Sequence, residues 1–351
     1  MNVNLATRMV TKVACSFALF ATCTGMLAPV ASLAATVADS DFAARCGAAG
    51  VVLCTGLNSA TDLQAGEIGP AGDGTQQGFI DTTQAASGAG SLKFTLRAGV
   101  ADRNVGGYWE ASLPQNFKSG DTIYVQYRWR ASPEYFTNNA NYWQSSVKQI
   151  NIHGPSSTCQ GAEFTTVMQD GYPSMYTDCG IGWHTDVNTN ALLSSCPDDC
   201  LLEQGSSTVP APSGSGYNCH YQNQVAGSAN GSGCFIPPSN TWITHYEVIK
   251  LGAVDSNTSS VNAFEAHNGS GYKQWQRVNG VTFVGGGDSY FSKLRFETYM
   301  TEIARGAPNT AYIWYDELIV STQPIAVPGN SGSTTAPAPV VPDPPTNVTV
   351  N

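Results

Sequence analysis

Three segments carry polar side chains at every second position. Gln149, Asn151 and His153 alternate in one, Gln126, Arg128 and Arg130 in another, and Glu163 and Gln169 bound a third. Histidine gains and loses a proton near neutral pH. Guanidinium and amide groups hold a carboxylate or a row of hydroxyls with directional hydrogen bonds. Such a set suits removal of a proton beside a carboxylate: Arg128, Gln149 and Asn151 would hold the anion, His153 would take the proton, and Tyr299 or Tyr290 would return one to a leaving oxygen.

Alternation of this kind is the signature of a strand with one face in a core and the other facing ligand or solvent. In Thr122–Arg130, the residues Ile123, Val125, Tyr127 and Trp129 share the apolar side. Ile150 and Ile152 oppose Gln149, Asn151 and His153, while Phe164 and Met168 oppose Glu163, Thr165 and Gln169. Further strand-like runs are Ser91–Leu96, Ile243–Leu251, Leu294–Met300 and Ala311–Ser321. The sequence shows no amphipathic helix longer than two turns. The expectation is an all-β protein, a large antiparallel β-sandwich of jelly-roll type with disulfide-stapled loops. If the polar strands are neighbours, their outer faces merge into one surface holding Gln126, Arg128, Arg130, Gln149, Asn151, His153, Glu163 and Gln169.

Composition narrows the function. The chain has 351 residues, 42% hydrophobic and only 12% charged, against about 25% charged in ordinary soluble domains. A net charge of -10 disfavours a nucleic-acid or anionic-membrane binder, since both need a basic footprint. Arg8 and Lys12 precede an apolar stretch from Val13 to Met26, and Ser32-Leu33-Ala34 fits a leader-peptidase site. Residues 1–34 therefore read as a secretory signal, residues 35–327 as the sandwich domain, and 328–345 as a Pro/Ser/Thr-rich linker. Residues 346–351 read as the start of a fibronectin III-like module or a short tail. The cysteines beyond the leader are Cys46, Cys54, Cys159, Cys179, Cys196, Cys200, Cys219 and Cys234. In an exported chain an even number implies disulfides, and sequential pairing is the simplest pattern. No cofactor motif is present, and no metal is expected at the site. Oxygen-rich loops at Asp198-Asp199 and Asp255-Ser256-Asn257 leave room for structural calcium. The expected state is a secreted monomer whose partner is a polysaccharide.

Several stretches carry a resemblance. Gly88-Ala89-Gly90-Ser91-Leu92-Lys93-Phe94, Tyr124-Val125-Gln126-Tyr127-Arg128-Trp129-Arg130 and Trp314-Tyr315-Asp316-Glu317-Leu318-Ile319-Val320-Ser321 resemble secreted bacterial concanavalin A-like jelly-roll proteins. Among those, the chain is similar to polysaccharide lyases of the glucuronan and alginate lyase type. Asn151-Ile152-His153-Gly154 is similar to the Gln-Ile-His segment of that group. Arg128 or Arg130 takes the part of its arginine, and Tyr290-Phe291-Ser292-Lys293 partly echoes its Tyr-Phe-Lys. Leu294 and Phe296 stand where the group has Gly and Tyr, which leaves Tyr290 and Tyr299 as alternatives. The resemblance implies β-elimination on a uronic acid.

Two other readings compete. A glycoside hydrolase on the same fold needs two facing carboxyl groups, for which Glu163 with Glu247 or Glu297 is the available choice. A non-catalytic, lectin-like module needs exposed aromatic rings, for which Trp143, Trp183 and Trp275 are candidates.

Overall fold

The computed structural model describes residues 37–70, 77–99, 106–136, 146–156, 162–169, 172–177, 184–186, 191–193, 201–202, 237–254, 256, 258–267, 270–281, 283, 288–298 and 309–329. Residues 1–34, read above as a leader, Trp143, Trp183, Tyr299, the six cysteines from Cys159 to Cys234, the calcium-candidate acids and the chain from 330 lie outside these residues.

The strands are β1 (Val51–Thr55), β2 (Glu67–Gly69), β3 (Phe79–Asp81), β4 (Ser91–Leu96), β5 (Tyr108–Lys118), β6 (Thr122–Ala131), β7 (Ser146–His153), β8 (Glu163–Gln169) and β9 (Tyr172–Thr177). They continue with β10 (His184–Asp186), β11 (Ala191–Leu193), β12 (Leu201–Leu202), β13 (Ile243–Lys250), β14 (Ser259–His267), β15 (Lys273–Val281), β16 (Tyr290–Glu297) and β17 (Ala311–Ser321). The first sheet runs β15-β14-β13-β6-β17-β4-β3, with β1 also on β17; the second runs β12-β9-β8-β7-β16-β5-β2. β10 and β11 form a separate pair. Every pairing among them is antiparallel. The sandwich is thus as the period-two pattern requires.

One core fills the space between the sheets. Ile123, Val125, Tyr127 and Trp129 of β6 point into it from the first sheet; Ile150, Ile152, Phe164, Leu294 and Phe296 point into it from the second. Phe296 joins the layers, stacking on Tyr315 at 4.3 Å and meeting Tyr127 edge-on at 5.2 Å. Aromatic pairs of this geometry add to the burial of apolar area, which is the main driving force.

A helix absent from the sequence reading, α1 (Val37–Cys46), caps the outer face of the first sheet. Its weak amphipathic pattern hid it. It is held by specific polar contacts instead: Arg45 bonds Asp41 at 2.9 Å and also meets Glu317 and Gln126. A disulfide between Cys46 and Cys54 ties its end to β1, as sequential pairing anticipates. α2 (Ala60–Leu63) is a single turn capped by Ser59.

Candidate functional site

The outer face of the second sheet holds the densest array of functional side chains. Register sets two rows across it. Glu110 of β5 pairs with Arg295 of β16, Arg295 with Asn151 of β7, and Asn151 with Thr165 of β8. Next to that row, Ser112 pairs with Lys293, Lys293 with His153, and His153 with Glu163. Their strand neighbours Trp109, Ala111, Leu294, Phe296, Ile150, Ile152 and Phe164 all enter the core. Alternation therefore turns the polar set outward on each strand.

Glu110 is the hub. Its Oε1 accepts from Lys293 Nζ at 2.9 Å, and its Oε2 accepts from Arg295 Nε at 2.7 Å. His153 Nε2 lies 3.1 Å from the same Oε2. Burial alone would raise the Glu110 pKa, but the hydrogen bonds from His153 and Lys293 and the charge of Arg295 outweigh it and hold the carboxyl below the usual range. His153 Nδ1 sits 2.8 Å from the carbonyl oxygen of Gly154, so both ring nitrogens face oxygen acceptors. In this arrangement the imidazole donates. To accept a proton, Nε2 must part from Glu110.

Asn151 is fully buried; its Nδ2 donates to Thr165 Oγ1 at 2.9 Å and to Glu163. Its Oδ1 is buried without a hydrogen-bond partner. Arg295 also lies over the Tyr108 ring at 4.5 Å. Burial, followed by the hydrogen bond to Glu67, keeps the Tyr108 hydroxyl protonated above its ordinary range. The side chains of Lys293 and Arg295 are 35% and 21% exposed, against 3% for His153. The two cations are therefore the more accessible members of this face, and the imidazole and amide the more enclosed ones.

Parity assembled part of this face and missed the rest. Asn151, His153 and Glu163 come together as the alternation requires. Gln149 does not join them: a bulge between Lys148 and Ile150 breaks the alternation and leaves its buried amide beside the Tyr135 hydroxyl. Tyr290 pairs with Lys118 at the far end of β16, about 10 Å along the strand from Lys293. Gln169 closes β8 opposite Ser146.

Gln126, Arg128 and Arg130 belong to β6, which sits between β13 and β17 in the other sheet. The single merged surface is therefore two surfaces on opposite sides of the sandwich. Gln126 is fully buried under α1, bonded to Arg45 and the Ala326 carbonyl. Arg128 lies near Glu317, 3.9 Å away. Lys293, Arg295 and Glu110 were not singled out for this role. The Lys293-x-Arg295-x-Glu297 alternation was the signal available for them.

The hydrolase pairing fares poorly. Glu247 points between the sheets, where it accepts from His245 and Thr166. Glu297 is two strands and four residues from Glu163, a separation of roughly 17 Å between backbones, against about 5–9.5 Å between paired glycosidase carboxyls. Trp275 is interior, against His245 at 5.7 Å, and cannot offer its face to a sugar.

The fold and this face define a β-sandwich with a cationic, hydrogen-bonding outer sheet. No protein-family model matches the chain, and no curated protein matches it significantly. Among solved structures, it is similar to an alginate lyase from Aplysia kurodai at 14% identity, TM-score 0.45, covering 70% of this chain and 87% of that one. An endo-β-1,4-glucuronan lyase from the fungus Trichoderma reesei aligns at 12% identity, TM-score 0.43, over 71% of this chain and 89% of that one. An alginate lyase from Chlorella virus aligns at 9% identity, TM-score 0.43, over 77% and 99% respectively.

Proposed function

We propose that the protein is a secreted polysaccharide lyase that cleaves a uronic-acid-containing chain by β-elimination on the outer face of the second sheet. The observation that carries this reading is the pair of partly exposed cations, Lys293 and Arg295, that stand beside the buried imidazole of His153 and amide of Asn151 on the adjacent strand. The hydrogen on the carbon bearing a uronate carboxylate is only weakly acidic. Neutralising that carboxylate lets negative charge build up as the hydrogen leaves. Arg295 and Lys293 supply the neutralising charge, and Asn151 adds a buried amide at the same row.

A substrate carboxylate bound to those cations draws them from Glu110; Glu110 then takes the Nε2 proton of His153, and the freed Nε2 lone pair accepts the hydrogen from the substrate carbon as a proton. A double bond then forms to the neighbouring ring carbon as its bond to the glycosidic oxygen breaks. With Tyr290 at the far end of β16, Tyr299, which lies outside the described residues, is the tyrosine that would return a proton to that oxygen. The net charge of -10 opposes a polyanion at long range, but salt damps exposed charges beyond about 8–10 Å, so the local cations decide the encounter. The Cys46–Cys54 disulfide and the leader-like residues 1–34 support export to an oxidising compartment.

A carbohydrate-binding module without turnover is the second reading. It is favoured by the engagement of both His153 nitrogens, which leaves the imidazole without a lone pair directed at a substrate. Incubation with a panel of acidic and neutral polysaccharides separates the two. Unsaturated, ultraviolet-absorbing chain ends establish the lyase; retention of the glycan without cleavage establishes the module; new reducing ends without unsaturation contradict both.

A further inference from the structure

The outer face of the first sheet carries a second row of ligand-type side chains, on the side of the molecule opposite the proposed lyase site. Register places Phe79 of β3 against Lys93 of β4, Lys93 against Trp314 of β17, and Trp314 against Arg130 of β6. Aromatic and cation alternate across four adjacent strands. Lys93 Nζ lies 5.6 Å from the Phe79 ring centroid, 5.2 Å from Trp314 and 4.4 Å from Tyr312, while the Arg130 guanidinium lies 5.9 Å from Trp314.

The row is anchored from the side: Asp81, on the same face of β3 as Phe79, accepts from Trp314 Nε1 at 2.9 Å and pairs with Lys93 at 3.0 Å. Burial acts to raise the Asp81 pKa, but hydrogen bonds from Thr83 and Trp314 prevail and keep it ionised. The indole orientation is thereby fixed.

Three features mark this row as more than a wet sheet face. Phe79 is 48% exposed, one of two large hydrophobic side chains so exposed among the described residues. Among the described residues, Arg130 Nε is buried without a hydrogen-bond partner, and the guanidinium donates to Asn240 Oδ1 at 3.4 Å. A donor in that state has capacity for a further acceptor oxygen, from water or from a ligand. Finally, α1 covers this sheet at its Gln126 end through Arg45, whereas Phe79 stays open to solvent. The row spans three strand spacings, roughly 14 Å, longer than a single sugar ring.

We infer that this row is a non-catalytic binding site for an anionic polysaccharide, independent of the lyase face. Sugar rings pack their C–H faces on Phe79 and Tyr312, and Lys93 and Arg130 take the carboxylates. The cations of the row set its preference for an acidic over a neutral glycan on a protein whose overall charge is negative.

Affinity electrophoresis in gels cast with alginate, polyglucuronate or a neutral β-glucan tests the site, using the full chain and its Phe79→Ala/Lys93→Gln variant. The native protein is expected to be retarded by the polyuronates and much less by the neutral glucan. The variant is expected to bind at least about fivefold more weakly. Its thermal midpoint, measured separately, reports whether the fold survives loss of the partly buried Lys93–Asp81 pair, and the single Phe79→Ala variant, at an exposed position, carries the same test without touching that pair. Turnover of short uronate oligomers, too short to span both faces, is expected to be unchanged. Equal retardation of native and variant protein, or none of the native protein by any polyuronate, overturns the inference. Failure of the lyase reading shows up separately, as absence of unsaturated ends with retardation intact.

Discussion

Two histidine–carboxylate clusters differ mainly in where the sheets put them. On the outer face of the second sheet, His153 and Glu110 share contacts with the partly exposed Lys293 and Arg295 of the strand between them. Between the sheets, His245 is fully buried, with Nδ1 2.5 Å from Glu265 Oε1 and Nε2 2.9 Å from Glu247 Oε1. Tyr127 and Trp275 pack against its ring, and Thr166 reaches Glu247 from the opposite sheet. Similar chemistry yields an addressable site in one place and an internal brace in the other. Access to solvent, rather than residue type, separates a candidate site from a structural one.

The largest expected effect that separates them is on stability. His245→Ala leaves two buried carboxylates facing each other without their cation, and a broken buried pair costs about 3–5 kcal/mol. Urea unfolding measures it; Lys293→Ala, at a partly exposed pair, is expected to cost no more than about 1 kcal/mol. Equal costs would erase the distinction between brace and site.

Cys46→Ser comes next. Opening a closed loop of this short length removes about 2–3 kcal/mol and frees α1 from β1. The thermal midpoint is expected to fall with the second-sheet face intact, so turnover per folded molecule stays constant.

The pH dependence sharpens the comparison. Burial acts to lower the His245 pKa, but the Glu265 and Glu247 carboxylates outweigh it and raise it to about 10. Its contribution is complete below the unfolded-state value near 6.5, declines as pH rises and is gone above about 10. Burial pushes Glu265 and Asp316 up as well, which acts in the same direction. Glu110 is shifted downward, so its contribution is present above its unfolded-state value and is lost as pH falls. Stability measured against pH is expected to show an alkaline loss that diminishes in His245→Gln and an acid loss that diminishes in Glu110→Gln. Loss on the same side for both would contradict the assignment.

The fold was largely legible because a single number, the period of two, recurs along Thr122–Ala131, Glu163–Gln169 and Ala311–Ser321. Alternation says which side chains share a face of one strand. It says nothing about which strands are neighbours. β6 pairs with β13 and β17, both far along the chain, and that choice removed Gln126, Arg128 and Arg130 from the face of His153. The bulge at Lys148–Ile150 is equally silent in sequence, since no glycine marks it, and it displaced Gln149. Lys293 and Arg295 alternate as any solvated strand face does, and only the pairing of β16 with β7 brings them beside His153 and Asn151. His245-x-Glu247 has the same alternating look as Asn151-x-His153, and only the sheet assignment shows that one faces inward.

The most direct test is the release of unsaturated chain ends from a polyuronate by the native protein and by Lys293→Ala/Arg295→Ala. Removing the charges that neutralise the substrate carboxylate is expected to lower the rate by at least about 10²–10³-fold, with the unfolding midpoint nearly unchanged. Full activity in the folded double variant would contradict the assignment of this face as the lyase site.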